Sequence, residues 1–264
     1  SVVPARFQRG KLLGQGGQGT VYAGSYDGIP CAGKVLLGDM SEEVVKAARA
    51  EVAFFLRLDH PNCHYMLGAK TTVDNGGMLF LTEVCTNGSL FDYYATKRRT
   101  FSGPTAVRLA LECAQGLQHI HAMGFMHRDV KSLNVFLSEG MVAKMADFGM
   151  CTPEPSSNEP GGTPQWMAPE VVRNLFNLPT SYGRSVDVYS FGILLWELTH
   201  CRVPYAETGL NQMAVAQAVL KQGIRPRISQ ACPPPLRELM TACWNGQSTS
   251  RPTFHQIVDR LKVL

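Results

Sequence analysis

A short hairpin with a polar loop on each side, within residues 126–149, constrains the fold of this chain most. Two apolar runs flank the turn-forming Ser138-Glu139-Gly140, a pattern that predicts a pair of antiparallel strands. Folding this hairpin brings Asn134 and Asp147 to its open end, about 5 Å apart on adjacent strands. An amide oxygen and a carboxylate suit a hard cation such as magnesium. Magnesium in such a site indicates a substrate that carries phosphate.

The loop before the hairpin adds a carboxylate, Asp129, and a lysine two residues later, Lys131. Side chains two apart on an extended backbone point the same way, so a positive charge accompanies a group that can accept a proton. Phosphoryl transfer uses such parts, namely a base that orients a hydroxyl, cations on the phosphate oxygens and a metal ion. The loop therefore predicts phosphoryl transfer.

At this point the chain resembles the protein kinases. It has their His-Arg-Asp loop at 127–129 and their Asp-Phe-Gly loop at 147–149, at the family's spacing. The resemblance implies an α+β fold with two lobes, a small antiparallel sheet lobe with one helix and a larger, mainly helical lobe. It also implies one kinase domain over 1–264, with an N-lobe of about 1–84, a hinge of about 83–89 and a C-lobe of about 90–264.

The same resemblance assigns roles to the residues of these two loops. It implies that Asp129 is the catalytic base, that Lys131 contacts the transferred phosphate, and that Asn134 and Asp147 bind magnesium. Arg128 is then a ligand for a phosphate on the later segment 152–162. Its candidate acceptors are Thr152, Ser156 and Ser157, modified by an upstream kinase or by the chain itself.

Length and composition allow one large domain or two small lobes, because the chain has 264 residues and 45% of them are hydrophobic. A net charge of +4 and one basic run, Lys97-Arg98-Arg99, predict no nucleic-acid partner. No stretch approaches the roughly 18 apolar residues of a membrane span. Eight cysteines without a Cys-x-x-Cys pair predict neither a zinc site nor a disulfide framework, and favour a reducing compartment, the cytoplasm or the nucleus.

A glycine-rich segment at 14–22 follows a predicted strand at 7–13. Glycines let backbone amides approach phosphate oxygens, but dinucleotide-binding folds and flexible turns use the same pattern. Another strand and the turn Asp27-Gly28 follow, where a dinucleotide-binding fold needs a helix. The segment therefore resembles the kinase loop over the phosphates of ATP, and the residues expected to contact the nucleotide are Gly14, Gly16, Gly19 and Val21.

The strand predicted at 30–37 places Lys34 in an apolar setting. An isolated lysine of this kind is usually on an edge strand with its amine in water. The resemblance implies instead that Ala32 covers the adenine and that Lys34 reaches the α- and β-phosphates, although Gly33 departs from the family pattern and predicts a looser strand. Glu51, on a helix predicted at 41–58, is the expected partner of Lys34. The rivals Glu42 and Glu43 are interpreted as charges that cap the helix.

A polar break at 85–90 ends the sheet and is interpreted as the hinge. By resemblance, Thr82 lies behind the adenine and the backbone of Glu83 and Cys85 binds it. Cys85 is either an accessible thiol at the pocket mouth or an ordinary loop cysteine. Asp92 is expected near the ribose, and Phe136 is expected to contact the nucleotide.

Four further contacts are implied by the resemblance. His127 is expected to pack against Phe148, and Thr163 to contact both Asp129 and Lys131. Asp187, at the start of a long apolar helix predicted at 187–198, is expected to anchor the backbone of the catalytic loop. The remaining expectation is an ion pair between Glu170 and Arg251.

The hydroxyl class of the substrate follows from a mixture of motifs. Lys131 and Gly162-Thr163-Pro164 resemble serine/threonine kinases, whereas residues 166–170 and 187–192 resemble tyrosine kinases. The mixture is most similar to the tyrosine-kinase-like group, which includes the Raf and mixed-lineage kinases, and favours transfer to Ser and Thr. Dual specificity, tyrosine specificity and a nucleotide-binding pseudokinase scaffold are the alternatives, and a small-molecule kinase is a weaker one.

Overall fold

The computed structural model describes residues 7–16, 19–36, 41–73, 77–154 and 161–264. These residues fall into two compact units, and the boundary between the units lies between Thr86 and Asn87. The predicted α+β fold, with a sheet lobe and a helical lobe, is confirmed.

The first unit is a five-stranded antiparallel sheet with one helix. Its elements are β1 (Phe7–Gly16), β2 (Gly19–Tyr26), β3 (Ile29–Leu36), α1 (Glu42–Phe55), β4 (Met66–Val73) and β5 (Gly77–Thr82). The strand order is β1-β2-β3-β5-β4, so β3 is paired on both sides. The alternative of an edge-strand lysine at position 34 is therefore wrong.

Gly33 does not interrupt β3, in contrast to the looser strand that its presence predicted. It pairs with Tyr22 on one side and Leu81 on the other. A Cβ at this position would lie 2.6 Å from Cζ of Phe7, and one at Gly24 would lie 2.4 Å from Cε2 of the same ring. The two glycines make room for a phenylalanine that packs against the buried cluster of the sheet.

Helix α1 is shorter than the predicted 41–58, because its C-terminal turn tightens. Arg57 N donates to Phe54 O at 3.0 Å and Leu58 N to Phe55 O at 3.1 Å, both three-residue hydrogen bonds. Such bonds close a helix end by satisfying carbonyls that a longer helix would have bonded. Leu58 is still buried, so its apolar character reflects packing rather than helix.

The second unit is mainly helical. Its helices are α2 (Gly103–Ala122), α3 (Pro169–Leu175), α4 (Ser185–His200), α5 (Gln212–Gln222), α6 (Pro234–Cys243) and α7 (Phe254–Lys262). Two small sheets accompany them, one pairing β6 (Phe125–Met126) with β9 (Thr152–Pro153) and the other pairing β7 (Val135–Leu137) with β8 (Ala143–Met145).

Helix α4 forms the core of this unit, because every residue from Val186 to Leu198 is buried. Elsewhere in the unit, Thr253 and Gln256 form a capping box at the start of α7. Arg251 makes a two-pronged ion pair with Glu170, at 2.6 and 2.9 Å, which confirms the predicted contact. Within the described ranges, no helix is long and apolar enough to cross a membrane.

Candidate active site

The carboxylate of Asp129 lies at the centre of a hydrogen-bonded group in the second unit. Its Oδ2 accepts from Lys131 Nζ at 2.7 Å and from Asn134 Nδ2 at 2.8 Å, and its Oδ1 accepts from Thr163 Oγ1 at 2.9 Å. Lys131 Nζ also donates to Thr163 Oγ1 at 2.7 Å, so the predicted contacts of Thr163 are confirmed. Because three side chains hold it, the carboxylate has a fixed orientation before any substrate binds.

Asp187 anchors the backbone of the loop that carries Asp129. Its Oδ2 accepts from His127 N and from His121 Nε2, and its Oδ1 accepts from Arg128 N, each at 2.8 Å. Burial alone would raise the pKa of Asp187, but the bonds from His121 and His127 lower it below its ordinary value. The anchor predicted from the sequence is confirmed, and the carboxyl group is held as an anion.

This anchor offsets strain in the loop. Arg128 has φ +69°, in the left-handed region that a residue with a Cβ seldom adopts. Its N–H is one of the groups bound by Asp187. The Arg128 guanidinium lies 5.9 Å from the ring centre of Tyr182, and its Nε is buried without a hydrogen-bond partner among the described residues.

The hairpin between the two loops forms as predicted, but its open end is offset by one residue. Ala146 N, not a group of Asp147, bonds to Asn134 O, at 2.9 Å. Asn134 belongs to a helical turn at 132–134, and Asp147 has φ +59°, so neither residue continues a strand. The prediction that both lie on adjacent strands was wrong, because Asn134 belongs to the helical turn before β7 and the left-handed Asp147 follows the end of β8.

Both residues nevertheless have oxygens suited to a divalent cation. Asn134 uses its amide nitrogen to bind Asp129 O and Oδ2, and its amide oxygen is the atom that can bind a metal. Asp147 Oδ1 is buried and has no hydrogen-bond partner within the described part of the chain. A buried carboxylate oxygen without a donor is costly unless a ligand completes it, so the residues fit magnesium. Phe148, the next residue, packs against the ring of His127 at 5.5 Å, as predicted.

Gly162 lets the segment that carries Thr163 approach the loop that carries Asp129. This role of Gly162 was not predicted from the sequence. It has φ +100°, and a Cβ there would lie 2.5 Å from the carbonyl oxygen of Arg128. Only glycine combines this conformation with this closeness. The adjacent Thr163 is thereby held within bonding distance of Asp129. The Gly161-Gly162 pair beside Thr163 was the available signal.

In the first unit, the predicted phosphate-binding segment is the turn end of the β1–β2 hairpin. Gly14 pairs with Val21, and Gly16 with Gly19, whereas Gly17 and Gln18 lie outside the described residues. Gly19 has φ +124°, and a Cβ there would meet Val35 O at 2.5 Å, so the fold itself requires this glycine. A Cβ at Gly14 would meet no described atom within 4 Å. The open space beside Gly14 fits a ligand that approaches the backbone.

Four further predicted residues of this unit, Lys34, Ala32, Thr82 and Glu51, lie on β3, β5 and α1. Lys34 is on β3, opposite Val21 of β2 and Phe80 of β5. Ala32 is buried on the same strand and pairs with Thr82, the last residue of β5. Glu51 lies half-buried on α1, while the rivals Glu42 and Glu43 are in its first turn. The pairing of Lys34 with Glu51 stays a prediction.

The predicted adenine-binding residue Glu83 has protein partners for both of its backbone groups. Its N–H donates to Tyr65 O at 3.0 Å, and its carbonyl oxygen accepts from His64 Nε2 at 3.0 Å. Its side chain accepts from Tyr65 N at 2.9 Å. A carbonyl oxygen has two lone pairs, so the contact with adenine stays a prediction. Cys85, two residues later, is half-buried.

Two predicted nucleotide residues lie in the second unit. Asp92 Oδ2 accepts from Ser89 N and Oγ, at 3.0 and 2.8 Å, and Asp92 N donates to Ser89 Oγ at 3.0 Å, so the two residues bond each other at the start of the turn at 92–96. Phe136 lies half-buried on β7, opposite Lys144 and bridged to Ser89. Their roles toward a ribose and a base stay predictions.

The segment predicted to carry phosphorylation sites is only partly described. Thr152 pairs with Met126 in the β6–β9 sheet and is half-buried. Ser156 and Ser157 lie outside the described residues. Glu154 Oε1 accepts from Arg184 N at 3.0 Å, and its Oε2 pairs with the Arg184 guanidinium. This ion pair, not anticipated from the sequence, ties the segment to the start of α4.

The family model for protein tyrosine and serine/threonine kinases matches residues 7–261. This chain is a protein kinase domain. Its similarity is to kinases of the tyrosine-kinase-like group, so the predicted family and group are confirmed.

Several named relatives align with nearly all of the kinase domain. A probable serine/threonine-protein kinase of Dictyostelium discoideum is 37% identical over 254 residues, which are 94% of this chain and 27% of the relative. The serine/threonine-protein kinase STY46 of Arabidopsis thaliana is 31% identical over 96% of this chain and 43% of its own length. The serine/threonine/tyrosine-protein kinase HT1 of the same plant is 35% identical, over 96% and 65% respectively. The kinase domain therefore spans less than half of the first two relatives.

Proposed function

We propose that the kinase domain transfers the γ-phosphate of ATP to serine or threonine hydroxyls of protein substrates. The observation that carries this proposal is the group around Asp129, in which Lys131, Asn134 and Thr163 lie 2.7 to 2.9 Å from its carboxylate oxygens. A base held in one orientation, with a lysine beside it, is what in-line transfer to a hydroxyl requires.

In the proposed reaction, Asp129 orients the substrate hydroxyl and accepts its proton as the hydroxyl oxygen bonds to the γ-phosphorus. The bond from that phosphorus to the bridging β-phosphate oxygen breaks, and ADP leaves. Lys131, 2.7 Å from Asp129, offers its positive charge to the transferred group. Magnesium bound by Asn134 and Asp147 would neutralise phosphate charge.

Residues of the first unit, with Asp92 and Phe136 of the second, are proposed to bind the rest of the nucleotide. Gly14, Gly16 and Gly19 contact the phosphates through their amides, and the open space at Gly14 supports this assignment. Lys34 binds the α- and β-phosphates, oriented by Glu51. The remaining proposed contacts to the base and ribose are made by Val21, Ala32, Thr82, Glu83, Cys85, Asp92 and Phe136.

Regulation by phosphorylation is proposed at Thr152, Ser156 or Ser157, through an upstream kinase or autophosphorylation. The buried Nε of Arg128, without a hydrogen-bond partner among the described residues, supports its role as a phosphate ligand. A cytoplasmic or nuclear location stays a prediction from the cysteine pattern.

The test is transfer of radiolabelled γ-phosphate from ATP with magnesium to mixed protein substrates, followed by phosphoamino-acid analysis. We expect label on serine and threonine. Asp129→Asn should lower turnover by about two orders of magnitude or more, with ATP affinity kept, because a positioned base is lost. Asp147→Asn should abolish magnesium-dependent nucleotide binding in calorimetry.

Each alternative has its own outcome in this experiment. Label on tyrosine as well would establish dual specificity. No transfer by the wild type, even after treatment with an activating kinase, would overturn the proposal in favour of a nucleotide-binding scaffold. Turnover that survives Asp129→Asn would remove Asp129 from the role of base.

A further inference from the structure

His200, the last residue of α4, joins this helix to the segment that connects α5 with α6. This connecting segment comprises residues 223–233. Ser229 N donates to His200 Nε2 at 3.0 Å, and Trp196 Nε1 donates to Arg227 O at 2.9 Å. Two side chains of α4 are thus bonded to the backbone of the connecting segment. Neither bond belongs to the group around Asp129, and the proposed reaction uses neither of them.

The contacts of the His200 ring identify its tautomer. A backbone N–H group only donates, so Nε2 is the unprotonated, accepting nitrogen of a neutral imidazole. The single ring proton is then on Nδ1, which lies 2.9 Å from the carbonyl oxygen of Trp196 and donates to it. Each ring nitrogen therefore has the partner that the neutral form requires.

Protonation of Nε2 would place two donors against each other. The imidazolium carries an N–H on both nitrogens, and the amide of Ser229 has no lone pair with which to accept. The ring stacks on the indole of Trp196, with centroids 4.6 Å apart and planes 11° from parallel. A cation is also attracted to the face of an indole, so this stack holds the ring in both forms. The change therefore falls on the exposed Ser229, whose N–H group must turn to water.

We propose that His200 is a pH-sensitive latch. In its neutral form the ring holds the connecting segment to the end of α4 through Ser229 N, and protonation of Nε2 opens this contact. The device is independent of ATP and of the phosphotransfer reaction, and it goes beyond the proposed function.

The surroundings of His200 determine the pH at which the latch opens. Burial and the positive charge of Arg202 lower the pKa of His200 below the ordinary 6.5, against the opposing effects of the bond to Trp196 O and the charge of Glu207. Arg237 of α6 adds a positive charge near the same contact, since its guanidinium donates to Ser229 O at 3.2 Å. The latch is therefore closed above pH 6.5 and opens as the pH falls through the lowered pKa.

Opening of the latch is local. The bond from Trp196 to Arg227 O persists because the indole does not titrate. On the other side, Ser229 O remains bonded to Arg237 and to Cys232 N, at 3.2 and 3.1 Å. The protonation of His200 therefore changes the mobility of one connection of the second unit and leaves the buried core of α4 intact.

Amide hydrogen exchange, followed by nuclear magnetic resonance from about pH 5 to about pH 8, tests the latch in the range where histidines titrate. Two variants separate its parts. His200→Gln offers an oxygen acceptor that does not titrate, and His200→Phe keeps an aromatic ring for the stack but has no ring nitrogen. The matched control is His255→Gln, which makes the same substitution at an exposed histidine of α7.

We expect the protection of the Ser229 amide, relative to an unstructured peptide, to stay constant above pH 6.5 in the wild type. Below the pKa of His200 it should fall about tenfold, as for the loss of one hydrogen bond. His200→Phe should show the low value at every pH, His200→Gln should show no step, and His255→Gln should follow the wild type. The amide of Cys201, which bonds Glu197 O at 2.8 Å, should keep its protection throughout.

Several outcomes would overturn the latch. Protection of Ser229 that does not change with pH in the wild type is one, and the same step in His200→Gln is another. A parallel loss at Cys201 would assign the step to unfolding of α4, and a neutral ring with its proton on Nε2 would leave Ser229 N without its acceptor. The wild-type spectra alone decide the matter if a variant fails to fold. None of these measurements uses ATP or a substrate, so a failure of the proposed function would leave their result unchanged.

Discussion

Asp187 and Glu197 are both fully buried on helix α4, near its start and its end, yet their pKa values move in opposite directions. The pKa of Asp187 lies below its ordinary value, whereas that of Glu197 is raised to about 7. Burial favours the neutral form of both groups, so the difference lies in their hydrogen-bond donors.

Asp187 is surrounded by donors that cannot become acceptors or that can carry a positive charge. Two are backbone N–H groups, of His127 and Arg128, and the third is the imidazole of His121. Half of the donors to Glu197 are hydroxyls, and the others are an indole and one backbone amide at 3.3 Å. A buried carboxylate thus stays ionised where fixed N–H donors converge on both of its oxygens.

The largest effect on stability is expected from Asp187→Asn, which replaces a buried carboxylate by its amide. The same change at Glu197, to Gln, should be tolerated. In Asp187→Asn, either amide orientation points the NH2 group at a backbone N–H, because His127 N faces Oδ2 and Arg128 N faces Oδ1. We expect the free energy of unfolding to fall by about 3 kcal/mol, as for a broken buried charge network. Turnover should fall about 100-fold or more, because the strained loop at Arg128 loses its anchor.

Denaturation in urea, followed by tryptophan fluorescence, measures this effect in the relevant unit. The three tryptophans, Trp166, Trp196 and Trp244, all lie within residues 87–264. Glu197→Gln is the matched control, since it makes the same chemical change on the same helix. Equal losses of stability in the two variants would contradict the account of the donors given above.

The next effect is the pH dependence of stability that Glu197 confers. Its pKa is raised from 4.5 to about 7, so the folded protein holds a proton that the unfolded chain releases in this range. The contribution is fully present below pH 4.5 and is lost as the pH rises through about 7. Such a shift corresponds to about 3 kcal/mol, because each pKa unit is worth about 1.4 kcal/mol.

Glu197→Gln isolates this contribution, because Gln does not titrate. The difference in unfolding free energy between this variant and the wild type should grow in favour of Gln as the pH rises through that window. Urea titrations at closely spaced pH values measure the difference. A difference that does not change with pH would place the pKa of Glu197 near its ordinary value and remove the contrast with Asp187.

A smaller effect is expected at His121, the only side-chain donor to Asp187 within the described residues. His121→Leu leaves Asp187 Oδ2 with His127 N alone, and we expect a loss of about 2 kcal/mol. The low pKa of Asp187 should rise toward its ordinary value, so the loss of unfolding free energy on acidification should be smaller than in the wild type. His119→Leu, on another face of α2, is the control. A pH profile unchanged from wild type would remove His121 as a cause of the low pKa.

The first of these two sites was predicted from the sequence and the second was not. Asp187 was found because both the segment that contains it and the loop that it bonds, at 127–129, are motifs of the kinase family. Glu197 bonds residues 65 and 103 positions away, Ser132 and Tyr94, and neither belongs to a recognised pattern. A lone acid in the apolar run 191–198 was the available signal, because such a residue is seldom buried without partners.

Local geometry was the other limit of prediction. The sheet, the long helices and the contacts of Thr163 followed from periodicity and from the family resemblance. The offset between Asn134 and Asp147 did not, because it depends on a left-handed backbone at Asp147 that the residue type does not require. The same holds for Gly162, whose need for glycine arises from a neighbour 34 residues away, Arg128.

The smallest effect on stability is expected at Glu154, a more exposed acid that bonds Arg184 at the start of α4. It extends the comparison of Asp187 and Glu197 to an acid in contact with solvent. Glu154 bonds the backbone and side chain of Arg184, and these contacts lower its pKa although burial raises it. Its stabilising effect is therefore present above pH 4.5 and is lost on acidification. Because the Arg184 side chain is 52% exposed, Glu154→Gln should cost only about 0.5 kcal/mol.

Salt distinguishes this acid from the buried ones. The cost of Glu154→Gln should shrink in concentrated salt, since solvent ions screen an exposed pair, whereas the cost of Asp187→Asn should not. Urea titrations of both variants at low and high salt make the measurement. A salt-independent loss of about 2 kcal/mol at Glu154 would show that an exposed ion pair stabilises the protein as much as buried hydrogen bonds do, and would leave no role for burial in separating these sites.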